Sequence, residues 1–162
     1  MSPSEARTLS NFFDHKTYSR SIADKTSTGT VKQWVYNFSK EDLQGFEEKM
    51  IRDEISKHYD VKKFRFQNAI CNVYSYGDVC FTHVDFYRTR PGITALIFAN
   101  DIWEKDWGGE IMFFKKNDEA VYAITPKPGR LLLFHGFLKH RGGVPSRHCY
   151  EARKTFVLKY HI

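Results

Sequence analysis

The chain has 162 residues, the length of one domain, and a folded domain of this size buries roughly 70% of the surface exposed by the unfolded chain. Twenty-five Lys and Arg against nineteen Asp and Glu give a net charge of +6, and 41% hydrophobic with 27% charged residues exclude an intrinsically disordered chain. A second catalytic domain is excluded by length, and 16% aromatic residues favour a β-rich core over a helical bundle.

The first sixty residues read as a helical support region. An early helical segment surrounds Asn11-Phe12-Phe13, and a polar, turn-prone loop covers 24–30. Ser39-Lys40-Glu41-Asp42 resembles a capping box, and Leu43, Phe46, Met50 and Ile55 recur at helical spacing, which predicts one amphipathic helix over 40–58. From 61 onward short runs rich in Val, Ile, Phe and Tyr alternate with Gly, Pro, Asn and Asp. They predict strands at 64–74, 79–83, 93–99, 110–114, 120–124, 130–134, 137–142 and 153–161. The expected fold is mainly β with N-terminal helices: a double-stranded β-helix, or cupin-like jelly roll. It forms a single domain over 1–162, with helical support at 1–60 and the roll at 61–162.

No apolar run approaches the ~20 residues that span a bilayer. The opening Met1-Ser2-Pro3-Ser4-Glu5 lacks the apolar stretch of a secretory signal, so a cytoplasmic protein without a membrane partner is expected. Cys71, Cys80 and Cys149 are odd in number and lack zinc-type spacing, as reduced thiols would. Basic residues are scattered without a block, which disfavours nucleic acid as a partner. Oligomeric state leaves no mark in the sequence.

His83-Val84-Asp85 places two ligand-type side chains two residues apart, where an extended backbone points both the same way. His140 follows an apolar run ending at Phe134, where the opposite wall of a jelly roll returns to the first pair. Two His and one carboxylate with open positions suit non-haem Fe(II), and zinc with bound water is the competing ion. Arg153 and Thr155 share a face of the last predicted strand, and a guanidinium fork beside a hydroxyl fits one carboxylate of a dicarboxylic acid. Asn72 and Tyr74 share a face with Phe64, Phe66 and Ile70, so two polar tips are expected in an otherwise apolar interior, where they need a partner.

With these residues in view, the chain resembles the Fe(II)/2-oxoglutarate-dependent oxygenases of the prolyl 4-hydroxylase-like group. The likeness rests on Asn72-Val73-Tyr74-Ser75-Tyr76-Gly77-Asp78 leading into His83-Val84-Asp85, and on Asn100, Trp103 and Gly108-Gly109-Glu110. It also rests on Pro128-Gly129-Arg130-Leu131-Leu132-Leu133-Phe134 and on His140 followed by Arg153-Lys154-Thr155. The resemblance implies that His83, Asp85 and His140 hold iron, that Arg153 and Thr155 bind the C5 carboxylate of 2-oxoglutarate, and that Tyr74, with Asn72 beside it, helps hold the co-substrate. It further implies O2 as oxidant, possible use of ascorbate as reductant, and hydroxylation of an unactivated C–H bond with release of succinate and CO2. The substrate expected is a peptidyl residue or a small amino-acid-like metabolite. The resemblance leaves His135 as a second distal ligand and Arg147 as a second anchor, because Arg153 follows His140 by thirteen positions. Phe86-Tyr87-Arg88-Thr89-Arg90, Tyr87 and Arg88 foremost, is the candidate substrate loop, and Trp103 a candidate for the entrance. A nucleic-acid oxidative demethylase of the same superfamily and a non-catalytic jelly-roll binding module are the alternative functions.

Overall fold

The computed structural model describes residues 2–21, 33–39, 41–43, 46–60, 62 and 64–162; at 46–48 and 50 it describes the backbone only. The loop expected at 24–30 lies outside the described residues. A Ser2 cap opens α1 (Pro3–Asp14), with the Ser2 hydroxyl accepting from Glu5 N and the Glu5 carboxylate accepting from Ser2 N. Two short strands follow, β1 (Ser19–Ser21) and β2 (Gln33–Asn37), and then α2 (Phe46–Ser56). The expected helix over 40–58 is therefore shorter. Ser39 and Asp42 do exchange the two reciprocal bonds of a capping box, but those bonds close a turn at 41–43.

The remaining strands are β3 (Arg65–Tyr74), β4 (Gly92–Phe98), β5 (Ile111–Phe114), β6 (Ala120–Ile124), β7 (Leu131–His135), β8 (Lys139–Gly142) and β9 (Arg153–His161). Seven of the eight predicted strands form. No strand forms over 79–83, where His83 makes only an isolated bridge with His140. β1 and β2 lie in the region read as helical, because β2 is too short to show alternation and is completed by its pairing with β3. The antiparallel strands form two sheets, β1-β2-β3-β9-β4-β7 and β6-β5-β8, the facing walls of a jelly roll.

Strand alternation sorts the long sheet into two faces. Ala95 and Ile97 of β4 and Phe156, Leu158 and Tyr160 of β9 face the helices, packing on Leu9, Phe13, Ile51 and Ile55. Leu96, Phe98 and Val157 face the other way, onto Ile111, Phe113 and Phe134 between the sheets. β3 changes face part-way. A register shift between Phe66 and Asn68 lets Phe64 and Phe66 pack with the helices while Ile70 packs between the sheets. The expectation that Phe64 and Phe66 share a face with Ile70, Asn72 and Tyr74 is thereby corrected: one extra residue in a strand inverts every side chain beyond it.

Candidate metal and keto-acid site

A loop and strand β8 are stitched together to bring His83, Asp85 and His140 into one place. His83 N donates to His140 O at 2.8 Å and His140 N donates to His83 O at 2.9 Å, so the rings lie side by side with centroids 4.5 Å apart. Asp85 N and Phe86 N both donate to Gly136 O, which ties the loop to the turn between β7 and β8. Phe86 is buried, its ring so close to Gly92 and Gly136 that a Cβ on either would collide with it.

One ligand atom from each of the three side chains lies within 4.8 Å of the others. Asp85 Oδ1 is 3.7 Å from His83 Nε2, and Oδ2 is 3.5 Å from His140 Nε2. Each imidazole engages, through Nδ1 at 2.8 Å, the carbonyl two residues before it: Phe81 for His83 and Leu138 for His140. These bonds fix the Nδ1–H and direct both Nε2 atoms at the shared space, as metal-ligating histidines require. The carboxylate is held from the far side by Thr94 Oγ1 (2.7 Å to Oδ2) and Lys159 Nζ (2.6 Å to Oδ1).

The electrostatics favour a cation at Asp85 and His140 and oppose it at His83. Burial pushes the Asp85 carboxyl upward, but Lys159 and the two imidazoles outweigh it and hold it below its ordinary value. Burial lowers His140, keeping it neutral and able to ligate. For His83 burial acts in the same direction, yet the Cys80 thiol, the Phe81 carbonyl and Asp85 together overcome it and push it up to about 9.

The three side chains open on a cavity of about 270 Å³ between the sheets, also lined by Gln33, Asn72, Tyr74, Arg153, Thr155 and Lys159. A larger hollow of about 760 Å³ lies under α2, lined by Ile51, Tyr59, Ile97, Leu131 and Leu133; it contains none of the three ligand-type residues. In the smaller cavity, register places Tyr74 opposite Arg153 and Asn72 opposite Thr155. Arg153 is 1% exposed, its Nε donates to Gly109 O at 2.6 Å, and its guanidinium lies over the Tyr74 and Phe98 rings. Its Nη2 is buried with no hydrogen-bond partner, and Arg153 forms no ion pair with a described residue. A buried, half-satisfied guanidinium is costly unless an anion completes it, so the donor set fits a carboxylate.

The other sequence candidates lie elsewhere. Tyr87 is exposed in the turn it forms with Arg90, Arg88 sits 4.3 Å above the Phe137 ring, and Trp103 Nε1 donates to Gly108 O while its ring meets Trp107 edge-on. None of the three lines the cavity. Of the second choices, His135 is exposed and stacked on Phe137, and Arg147 is exposed in its loop. Sequence reasoning missed Gln33, Thr94, Cys80 and Lys159. Gln33 accepts a hydrogen bond from Tyr74 OH, and only the β2–β3 pairing brings it there. Lys159 was the most findable, since it alternates on one face of β9 with Arg153, Thr155 and Val157.

A sequence model of the family described as the 2OG-Fe(II) oxygenase superfamily matches residues 69–160, more than half of the chain. No curated protein sequence matches it. Among solved structures, one similar fold is a Pseudomonas putida prolyl-4-hydroxylase (TM-score 0.68, 15% identity, covering 98% of this chain and 84% of that one). Another is a Trichoplax adhaerens prolyl hydroxylase in complex with a hypoxia inducible factor oxygen degradation domain peptide fragment (0.69, 16%, 98% and 77%). A third is HygX from Streptomyces hygroscopicus with nickel and 2-oxoglutarate bound (0.70, 10%, 99% and 79%). At these identities the likeness is one of fold.

Proposed function

Because the chain belongs to the 2OG-Fe(II) oxygenase superfamily, whose cofactor and co-substrate are Fe(II) and 2-oxoglutarate, we propose that it hydroxylates an unactivated C–H bond at the cavity between its sheets. The substrate is a peptidyl residue or a small amino-acid-like molecule. His83 Nε2, His140 Nε2 and the Asp85 carboxylate hold the iron, and Arg153 receives the C5 carboxylate of 2-oxoglutarate with Thr155, Asn72 and Tyr74 around it. The observation that carries this reading is the buried Nη2 of Arg153, without a hydrogen-bond partner, on a side chain that lines the same cavity as the three ligand-type side chains.

Bound Fe(II), with 2-oxoglutarate and O2 as co-substrates, supplies oxidising power: one oxygen atom enters the substrate C–H bond and the other enters succinate as CO2 is lost. The protein's part is placement. The Phe81 and Leu138 carbonyls fix each imidazole ring and its tautomer, and Thr94 and Lys159 hold the Asp85 carboxylate where both oxygens are already oriented. Gly109 O fixes the guanidinium fork, leaving Nη2 free for the keto acid, and the Tyr74 and Phe98 rings keep water from competing for it.

Anaerobic addition of Fe(II) and 2-oxoglutarate tests this, read by the weak visible metal-to-ligand charge-transfer band of the chelate. Wild type develops the band; Arg153→Met needs far more 2-oxoglutarate to reach it, and Asp85→Ala does not develop it. A band of unchanged strength and 2-oxoglutarate dependence in both variants removes the assignment.

A further inference from the structure

The cavity lining contains one carboxylate, Asp85, and two side chains of fixed positive charge, Arg153 and Lys159. The cations are six residues apart on one face of β9, about 20 Å along an extended strand, and they address different neighbours. Arg153 reaches Gly109 and Gly142, whereas Lys159, cross-strand from Thr94, reaches Asp85. The Lys159 side chain is 18% exposed and its Asp85 partner 4%, so this is an interior cation.

The charges balance unevenly once the site is complete. A ferrous ion and a keto diacid cancel each other, and the charge of Asp85 cancels that of Arg153. The lining then holds one positive charge in excess, that of Lys159, which shares its 2.6 Å partner Asp85 with the metal. An ammonium that shares its one counter-charge with a metal ion is incompletely compensated, and a neutral substrate leaves it so. An incoming carboxylate removes the penalty, with a charge-assisted hydrogen bond strengthened by the low local dielectric. The exposed turn that follows Asp85 has the same sign: it carries Arg88 and Arg90, with no acidic residue between 86 and 90.

We infer that the substrate carries a carboxylate, received by Lys159 Nζ at the Thr94 side of the cavity, and that Lys159 selects free acids over neutral amides. This rests on the oxygenase-site reading above and adds the substrate class to it.

The test uses the full chain loaded with Mn(II) and 2-oxoglutarate without oxygen, and needs no turnover. Calorimetric titration compares a panel of N-acetyl-L-amino acids with the matching carboxamides on wild type, Lys159→Met and Lys159→Arg. Wild type binds the preferred acids at least about tenfold more tightly than their amides; Lys159→Met loses most of that ratio and Lys159→Arg restores it. Mn(II) is held at saturation for each protein, because Lys159 also holds Asp85 and Lys159→Met is expected to bind the metal more weakly. Equal binding of acids and amides by wild type, or a preference that persists in Lys159→Met, overturns the inference. So does an equal loss of affinity for acids and amides in Lys159→Met at saturating Mn(II), which leaves Lys159 the positioning of Asp85 alone. Failure of wild type to bind 2-oxoglutarate at all is distinct, and removes the oxygenase-site reading on which the inference stands.

Discussion

Arg153 and Gly109 are interlocked. The guanidinium Nε donates to the Gly109 carbonyl at 2.6 Å, and a Cβ on Gly109 would meet Arg153 Cδ at 2.9 Å and Trp103 Cζ2 at 3.0 Å. Gly109 also has φ +79, a left-handed conformation that side chains rarely adopt. The Gly108-Gly109-Glu110 motif is therefore part of the arginine's socket.

From that contact, Gly109→Ala is expected to displace the guanidinium and weaken 2-oxoglutarate binding by about tenfold or more, since a shift of even one ångström spoils a bidentate fork. Arg153→Met weakens it further, yet leaves the melting temperature of the ligand-free protein close to wild type, because the change removes a buried cation without an ion-pair partner. Titration of 2-oxoglutarate beside thermal unfolding checks both; an unaltered affinity in Gly109→Ala counts against the socket.

Thr94 is 1% exposed, lines the cavity, and donates its hydroxyl to Asp85 Oδ2 at 2.7 Å. Thr94→Val keeps the shape and deletes that bond. Metal affinity is expected to fall roughly 10–100-fold, the usual effect of losing an outer-shell partner, whereas Asp85→Ala loses metal and hydroxylation together. Mn(II) titration of the two variants separates a holder from a ligand.

Metal loading depends on pH through His83. Its value is raised to about 9, so below that pH Nε2 carries a proton that a metal ion has to displace. Apparent metal affinity therefore rises with pH, roughly tenfold per unit below 9 if this proton alone is released, and levels off above. The Cys80 thiol is the largest of the influences that raise His83, so Cys80→Ala moves the curve to lower pH. Co(II) competition titrations from pH 6 to 9 read the slope, and a pH-independent affinity rules out the proton.

Phe86 fixes the metal loop by filling the space beside Gly92 and Gly136. Phe86→Ala is expected to cost about 3–5 kcal/mol of stability, the usual penalty for emptying a buried aromatic site. It also weakens metal binding, because Asp85 N and Phe86 N lose a fixed Gly136 carbonyl. Denaturant unfolding and Mn(II) titration measure the two effects; stability within experimental error of wild type contradicts the anchoring role.

Much of the site was readable before folding. His83, Asp85 and Arg153 belong to short patterns whose chemistry survives without coordinates, and β6 and β9 have the predicted bounds, because β-prone residue types and the two-residue period of a strand are local signals, even though β6 is exposed and β9 buried along most of its length. Legibility failed where the backbone departs from that period. The shift between Phe66 and Asn68 reverses the faces of β3, and the run at 79–83 makes a bridge in place of a strand. β1 and β2 were missed because short strands are defined by the partner they pair with.

The amino-acid order by itself determined the kinds of chemistry available: two imidazoles and a carboxylate, an arginine at a strand start, and alternating apolar runs that can only close into layered sheets. Only the tertiary structure decided which of these groups meet. Antiparallel register sets Arg153 against Tyr74 and Lys159 against Thr94, the Gly136 carbonyl brings Asp85 toward His140, and Gln33 reaches Tyr74 through β2. The physical reason is range: residue type and period act over a few neighbours, whereas proximity between distant segments is fixed by pairing and packing across the whole chain.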